Sequence, residues 1–364
     1  MSYLLTDDAK MLRETADRFF GGSDAIKHTR AWRNTRDLTA SARGAWDGMV
    51  ALGFAGTLIP EEFGGVGLNI QASLQIAEMM GKSLAGGPFV SSAVMAATAI
   101  LDGNNAALKA ELLPAIAGGA VVALAAEESA RHKPHAIETM ARRDGAGFRI
   151  TGRKTAVIDG NIAGSLIVVA RDGDRHMMLV ADAKAPGVTV TSRLGVDSRP
   201  LVDIAFENVE ADGLVCDPAE TLALLDRVYD SGRLHLAAEM LGAAQECFDR
   251  AVEYLKTRVQ FGKKIGEFQA LQHRAAILLG ELEIARSVVL KAASAPTPEL
   301  ISMVKARVGD IAKKAALEAI QMHGGIGVTD DFDLGFYLKR IRTVAELLGD
   351  SAFHAERYAI IRGL

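Results

Sequence analysis

The spacing of apolar residues divides the chain into three segments. Residues 1–118 show helical periodicity, with apolar side chains three or four positions apart, and the same period returns over residues 214–364. Between them, residues 119–213 carry short apolar runs punctuated by Gly and Asp roughly every ten residues, which is typical of an all-β domain. The pattern therefore predicts an α+β protein whose β domain lies between two helical domains.

The same periodicity locates individual elements. Near the end of the chain it predicts helices at 222–259, 267–292, 298–323, 331–347 and 352–362. In the first segment it predicts a helix after Asp7, a helix around Trp46 that stops at Gly53, and helices at 70–84 and 90–101. The apolar runs that predict strands are 121–126, 148–151, 165–170, 176–180 and 188–190, with Gly147 and residues 152–154 as hairpin turns.

Composition and charge exclude several classes of protein. With 364 residues, 49% of them hydrophobic, the chain has material for a sizeable core and two or three domains. A net charge of -4 argues against nucleic acid as a partner. Cys216 and Cys247 form no metal or redox motif, so we expect no metal and reduced thiols. Without an evident signal peptide or membrane-length apolar run, the expected location is cytoplasmic.

Candidate chemistry lies where a helical pattern stops. Gly262 and Gly266 break the period, so Arg258 and Gln260 are expected beside a tight turn. The guanidinium of Arg258 is suited to a diphosphate and Gln260 adds a neutral donor, while Phe261 offers an aromatic face for stacking. An ordinary solvated turn between helices is the alternative.

Residues 258–269 resemble the signature R-x-Q-F-G-x-x-I-x-x-F-Q of the acyl-CoA dehydrogenase family, without a gap. Residues 321–327 resemble a second family motif, Q-x-x-G-G-x-G, and residues 60–67 resemble the loop P-E-E-x-G-G-x-G. The resemblance implies an N-terminal helical domain, a central β-barrel domain and a C-terminal helical bundle. It also implies FAD, held across a subunit boundary by Arg258, Gln260, Phe261, Gln321, Gly324 and Gly325.

The β segment departs from the family pattern. The motif T-E-P-x-x-G-S-D falls on a run that begins with Ala126, so the Thr that bonds the flavin and the Gly-Ser-Asp element are missing. The motif W-I-T falls on a run in which Ala156 replaces Trp and Ile158 replaces Thr. Backbone N–H groups of Glu128, Ser129 and Ile158 remain as possible donors to the ring edge.

The usual catalytic base is also missing. The family reaction removes a proton next to the thioester carbonyl, which needs a nearby carboxylate. The family's Y-E-G-T run falls on residues 347–350, which places Leu348 at the base position. A second family solution, near the start of the long helix, falls on Gly232.

Three acids lie near these positions: Asp230, Glu239 and Glu346. Glu239 is seven residues beyond Gly232 on the same helical face, among small and apolar residues, which makes it the candidate base. The alternative for Glu239 is a buried salt bridge with an Arg from another helix. Asp230 and Glu346 are expected to cap or solvate helix ends.

The resemblance implies FAD-dependent oxidation of an acyl-CoA to a 2-enoyl-CoA, with an electron-transferring flavoprotein as acceptor. It implies a homodimer or homotetramer, or a heteromer in which this chain is a non-catalytic partner that lacks the base. A DNA-binding or scaffolding role is disfavoured by the acidic balance. The basic run 131–135 is a candidate for the phosphates of coenzyme A, with a solvated loop as the alternative.

Overall fold

The computed structural model describes residues 5–21, 24–145 and 147–364, which fall into two compact units. The first unit contains Met1–Lys27, Leu74–Ala85 and Arg233–Leu364, and the second contains His28–Ser73 and Gly86–Gly232. None of the helices in the described part is long and apolar enough to cross a membrane. The α-helices of the described residues are α1 (Asp7–Gly21), α2 (Ala25–Thr35), α3 (Leu38–Arg43), α4 (Trp46–Ala51), α5 (Ile70–Ser83), α6 (Ala97–Asp102), α7 (Ala106–Ala117), α8 (Thr221–Thr257), α9 (Gln269–Ser294), α10 (Pro298–His323), α11 (Leu334–Glu346) and α12 (Ser351–Arg362).

The second unit is built around a sheet whose described strands form a closed ring. Hydrogen bonding runs from β4 through β2, β3, β7 and β5 back to β4, with β1 beside β4 and β6 beside β7. This ring confirms the predicted barrel-like β domain. The strands are β1 (Val122–Ala125), β2 (Met140–Asp144), β3 (Gly147–Lys154), β4 (Ser165–Asp172), β5 (Arg175–Asp182), β6 (Val188–Leu194) and β7 (Pro200–Leu214).

Two of these strands were not predicted, for different reasons. In β2 only Ala141 is buried, and the charged residues 142–144 hide the strand in the sequence. In β7 the buried residues Val202, Ile204 and Phe206 stand at alternate positions with the less buried Asp203 and Ala205 between them, as expected for a half-buried strand. By contrast, residues 166–170 of β4 are all fully buried, which explains why an uninterrupted apolar run marked that strand.

Gly152 was predicted to lie in a hairpin turn, which is wrong. It lies inside β3 at φ +155, where the pairing with β7 shifts register. A Cβ added there would approach the Thr139 side chain to 2.6 Å, so glycine permits the close contact between β3 and the segment before β2. Lys154 at the end of β3 is fully buried.

Two helical segments of the second unit also differ from prediction. The expected helix at 90–101 begins as a π-helix (Phe89–Ala96) that continues into α6. The expected helix around Trp46 is split into α3 and α4 at Gly44, where φ is +50 and an added Cβ would lie 2.2 Å from the Gly86 carbonyl carbon. Gly53 ends this region in a left-handed conformation, as predicted.

The first unit is a bundle of helices in close contact. In α10, whose bounds match the prediction, Pro298 stands at the first turn and Gly324 follows the last. It packs against α9, α11 and α12. Glycines let the backbones of α5 and α8 touch: a Cβ added to Gly242 would lie 1.8 Å from the Glu78 carbonyl oxygen, and one added to Gly81 would lie 1.8 Å from that of Glu239.

Candidate functional site

The Arg258 segment forms a β-hairpin at the end of α8. β8 (Val259–Gln260) and β9 (Lys263–Lys264) pair antiparallel, with Phe261 and Gly262 in the turn. Both turn residues are left-handed, at φ +55 and +80, as a two-residue hairpin requires. The predicted tight turn is therefore confirmed, and residues 258–264 are called the Arg258 hairpin below.

The side chains of this hairpin are exposed. Phe261 is 90% exposed and meets Phe268 edge-on, with ring centroids 6.2 Å apart. The Gln260 amide donates to the neighbouring Val259 carbonyl at 2.9 Å. In the part of the chain that the structure describes, the guanidinium of Arg258 has no hydrogen-bond or ion-pair partner. Its donors are therefore available to a ligand.

The glycine motif lies beside the hairpin's helix. His323, at the end of α10, stacks on Tyr254 of α8 with ring centroids 4.3 Å apart, one turn before Arg258. Gly324 follows at φ +64, and no atom would lie within 4 Å of a Cβ added to Gly324 or Gly325. Gln321 is exposed. The structure therefore brings the two sequence motifs together through the stacked rings.

Leu348, the residue at the expected base position, is buried in the loop between α11 and α12. Residues 347–350 are called the Leu348 loop. The carbonyl of Leu348 accepts hydrogen bonds from Nε of Arg233 at 3.0 Å and from Nε2 of His354 at 3.1 Å. Leu348 has φ +57, which costs a non-glycine residue about 1–2 kcal/mol. The two buried donors hold it in that conformation.

Lys305 of α10 donates hydrogen bonds to the end of α11 and to the same loop. Its Nζ donates to the carbonyls of Val344, Ala345 and Gly349 at 3.0, 2.9 and 3.1 Å. Carbonyls in the last turn of a helix lack intrahelical donors, and the buried ammonium group of Lys305 supplies the missing hydrogen bonds. Burial, followed by the charge of Arg233, lowers the pKa of Lys305 to about 7.

His354 contributes a neutral imidazole to this loop. Burial, followed by the charges of Arg233 and Lys305, lowers the pKa of His354 to about 2. Because Nε2 donates to Leu348, Nδ1 is the acceptor, and it is buried without a hydrogen-bond partner among the described residues. The loop is thus held by cations and a neutral ring.

Glu239, the candidate base, forms a buried ion pair. Its Oε1 lies 2.7 Å from Nε of Arg340 in α11, and the two side chains are 3% and 8% exposed. The alternative of a salt bridge with an Arg from another helix is confirmed, while the catalytic role of Glu239 stays a prediction that this pairing disfavours. The expectation that Asp230 caps a helix end is wrong, because it is buried inside α8.

The two segments compared with flavin motifs adjoin each other in the second unit. The N–H of Thr155 donates to the carbonyl of Glu127 at 2.8 Å, which joins the residue after β3 to the stretch after β1. Ala126 is buried, and Ala156 has a left-handed φ of +50. Neither alanine nor Ile158 offers a side-chain hydrogen bond.

A cluster that the sequence did not reveal lies beside these segments. Oε1 of Glu127 accepts the hydroxyl of Tyr229 at 2.5 Å and lies 2.8 Å from Nδ1 of His132. Burial acts to raise the pKa of Glu127, but bonding and charge from His132, with Tyr229, outweigh it and lower that pKa. The solvated-loop expectation for 131–135 is therefore wrong for His132, whose side chain is 6% exposed. No local signal marks the cluster, because Glu127 and Tyr229 are 102 positions apart.

Comparison with known proteins assigns the whole chain to one family. Models described as acyl-CoA dehydrogenase N-terminal, middle and C-terminal domains match residues 6–120, 123–209 and 224–360. The acyl-CoA dehydrogenase IpdE2 of Mycobacterium tuberculosis is 31% identical over 94% of this chain and 93% of its own length. The chain belongs to the acyl-CoA dehydrogenase family.

Other relatives extend this result to full length. The probable acyl-CoA dehydrogenase YngJ of Bacillus subtilis is 27% identical over 100% of both chains. A solved chain of a variant of the Tcur3481-Tcur3483 steroid ACAD superposes with a TM-score of 0.89 at 27% identity, covering 99% of each chain. The predicted order of helical, β and helical domains is therefore confirmed as the acyl-CoA dehydrogenase fold.

Members of this family bind FAD, and this chain offers donors that fit it. Arg258 and Phe261 present an exposed cation and an exposed ring. In the second unit, the backbone N–H groups of Glu128, Ser129 and Ile158 have no acceptor within the described chain. The fit rests on backbone donors in the β domain, where family members use side chains as well.

Proposed function

We propose that the chain is an FAD-dependent acyl-CoA dehydrogenase subunit that oxidises an acyl-CoA thioester to a 2-enoyl-CoA. The observation that carries this proposal is the Arg258 hairpin, which presents a guanidinium and an aromatic ring on one short turn, both exposed. A guanidinium fork binds phosphate oxygens through two parallel hydrogen bonds, and an exposed ring stacks on another ring. Bound FAD would accept the hydride that leaves the acyl chain.

The residues that would hold FAD contribute either side-chain donors or exposed backbone. Arg258, Gln260 and Gln321 would meet the diphosphate and its neighbouring groups, and the open backbone at Gly324 and Gly325 would let the ligand approach closely, although the N–H of Gly324 itself donates to the carbonyl of Gln321. All five are exposed in the single chain. A second subunit would complete the site, so we propose a homodimer, a homotetramer or a heteromer with another family member. Sedimentation of a stable monomer at micromolar concentration contradicts this part of the proposal.

A second candidate function is a non-catalytic partner subunit, and the Leu348 loop supports it. Leu348 cannot accept a proton, and the carboxylate of Glu239 is engaged by Arg340. The name of the related Tcur3481-Tcur3483 steroid ACAD joins two components. In such an assembly this chain would hold flavin for a partner that supplies the carboxylate, and an electron-transferring flavoprotein would reoxidise it.

Flavin reduction by acyl-CoA separates the two functions. The purified protein is mixed with a panel of acyl-CoAs in a stopped-flow spectrometer, together with Glu239→Gln and Leu348→Glu. Yellow protein that bleaches supports a complete dehydrogenase, and loss of two or more decades of rate in Glu239→Gln would identify the base, since a general base contributes about 10²–10⁴. Exposed Glu253 on the same helix supplies the control, Glu253→Gln, with wild-type rates expected.

The remaining outcomes are equally specific. Yellow protein that bleaches only after Leu348→Glu supports the partner subunit, because the site then lacks nothing but its carboxylate. Protein that binds no FAD, alone or mixed with another family subunit, contradicts both candidate functions.

A further inference from the structure

The residues after β1 are held on one side by a buried lysine. Nζ of Lys154 donates to the carbonyl of Ala126 at 3.1 Å and to Oε1 of Glu128 at 2.6 Å. The Glu128 carboxylate also accepts the backbone N–H groups of Glu138 and Thr139, at 2.6 and 3.0 Å. The side chain of Glu128 is thus committed to the barrel, while its own backbone N–H has no acceptor within the described chain.

On the other side, the cluster of Glu127, His132 and Tyr229, here called the Glu127 clamp, ties the same stretch to α8. Tyr229 stands three residues before Gly232, so the clamp reaches α8 one turn from the alternative base position. The ring of His132 meets the Tyr229 ring edge-on, with centroids 5.1 Å apart. The carbonyl of Glu127 is occupied by Thr155. Both the carbonyl and the carboxylate of Glu127 are therefore engaged.

We propose that the Glu127 clamp positions the backbone N–H groups of Glu128 and Ser129 for the edge of a flavin ring. The clamp thereby compensates for the flavin contacts that the side chains of Ala126 and Ile158 do not make. This inference rests on the proposed function, because it concerns how the same chain holds its flavin.

The physical reason is preorganisation. A backbone donor stabilises a ring oxygen or nitrogen only when its direction is set before the ligand arrives. The peptide that carries the N–H of Glu128 is the one that follows Glu127, so bonds to the Glu127 carbonyl and carboxylate fix its orientation. The clamp uses only buried or half-buried groups, which lose little rotational freedom when flavin binds.

The test measures FAD affinity and the spectrum of bound FAD. Apoprotein of wild type, Tyr229→Phe and Glu127→Gln is titrated with FAD, and the melting temperature of each apoprotein is recorded. Tyr229→Phe removes one hydrogen bond to a carboxylate, so we expect a Kd about tenfold or more above wild type. Glu127→Gln keeps the shape but removes the charge, and we expect a similar or larger rise. The visible absorbance band of bound FAD should shift in both.

The control is Asp226→Asn. Asp226 lies on α8 like Tyr229, and its exposed carboxylate pairs at 3.0 Å with His135, which lies on the same loop as His132. The Kd and spectrum of this variant should equal those of wild type. Wild-type Kd and spectrum in Tyr229→Phe and Glu127→Gln overturn the inference while leaving the proposed function intact. If either variant melts earlier as apoprotein, the spectrum at saturating FAD decides, and an unchanged spectrum overturns the inference. A wild type that binds no FAD, alone or mixed with another family subunit, overturns the inference and the proposed function together.

Discussion

The Arg258 hairpin and the Leu348 loop both belong to the first unit, but they use their cations in opposite ways. Arg258 is exposed and has no partner among the described residues. Arg233 and Lys305 are buried, and Nε of Arg233 and Nζ of Lys305 donate to backbone carbonyls of the chain itself. A cation in the interior must be satisfied by the fold, whereas a cation at the surface remains available to a ligand. The first region should therefore govern binding, and the second should govern stability.

The largest expected effect is on the Leu348 loop, through Lys305→Met. The change leaves three buried carbonyls without their donor, and each unsatisfied group costs about 1–3 kcal/mol, partly offset because a buried charge is removed. We expect the free energy of unfolding to fall by about 3 kcal/mol in urea denaturation. Lys314→Met on the same helix is the control, since Lys314 is half-exposed in a surface ion pair with Glu281 and should change stability by under about 1 kcal/mol. Equal losses of unfolding free energy in Lys305→Met and Lys314→Met would contradict the distinction between buried and exposed cations.

The next effect concerns the hairpin. Arg258→Ala should leave the free energy of unfolding within about 0.5 kcal/mol of wild type, as is usual for exposed sites. Loss of the charged fork should weaken FAD binding about 10–100-fold, and Arg258→Lys should restore only part of it, because an ammonium lacks the planar fork. Flavin content after purification and an FAD titration measure the FAD binding of the two variants. Full flavin content in Arg258→Ala contradicts the assignment.

The smallest effect is a pH dependence that comes from His354. Its folded pKa of about 2 lies below the ordinary value of 6.5, so below pH 6.5 the unfolded chain binds a proton that the folded chain does not. Stability therefore falls as pH falls through this window. Relative to His354→Gln, which keeps a side-chain N–H donor, wild type should lose about 1 kcal/mol more between pH 6.5 and 5.5. Urea denaturation at the two pH values measures this, and parallel losses in both proteins would contradict it.

Local patterns in the sequence predicted much of the fold and of the flavin surface. The bounds of α10 could be read because Pro298 and Gly324 mark its ends in the chain itself. The Arg258 hairpin could be read because Gly262 interrupts a helical period within a few residues. Strands β2 and β7 could not, since β2 has a single buried residue in a charged run and only the closed barrel shows which residues of either strand are buried.

The sequence by itself determined the family, the order of helical and β domains, and the absence of a carboxylate at Leu348 and Gly232. Only the tertiary structure decided the partners of the buried charges. Glu239 meets Arg340 across 101 positions, Glu127 meets Tyr229 across 102, and Lys305 reaches the Leu348 loop from 44 positions away. Helical period and turn residues report on neighbours a few positions apart, whereas the pairing of a buried charge is set by which helices pack together.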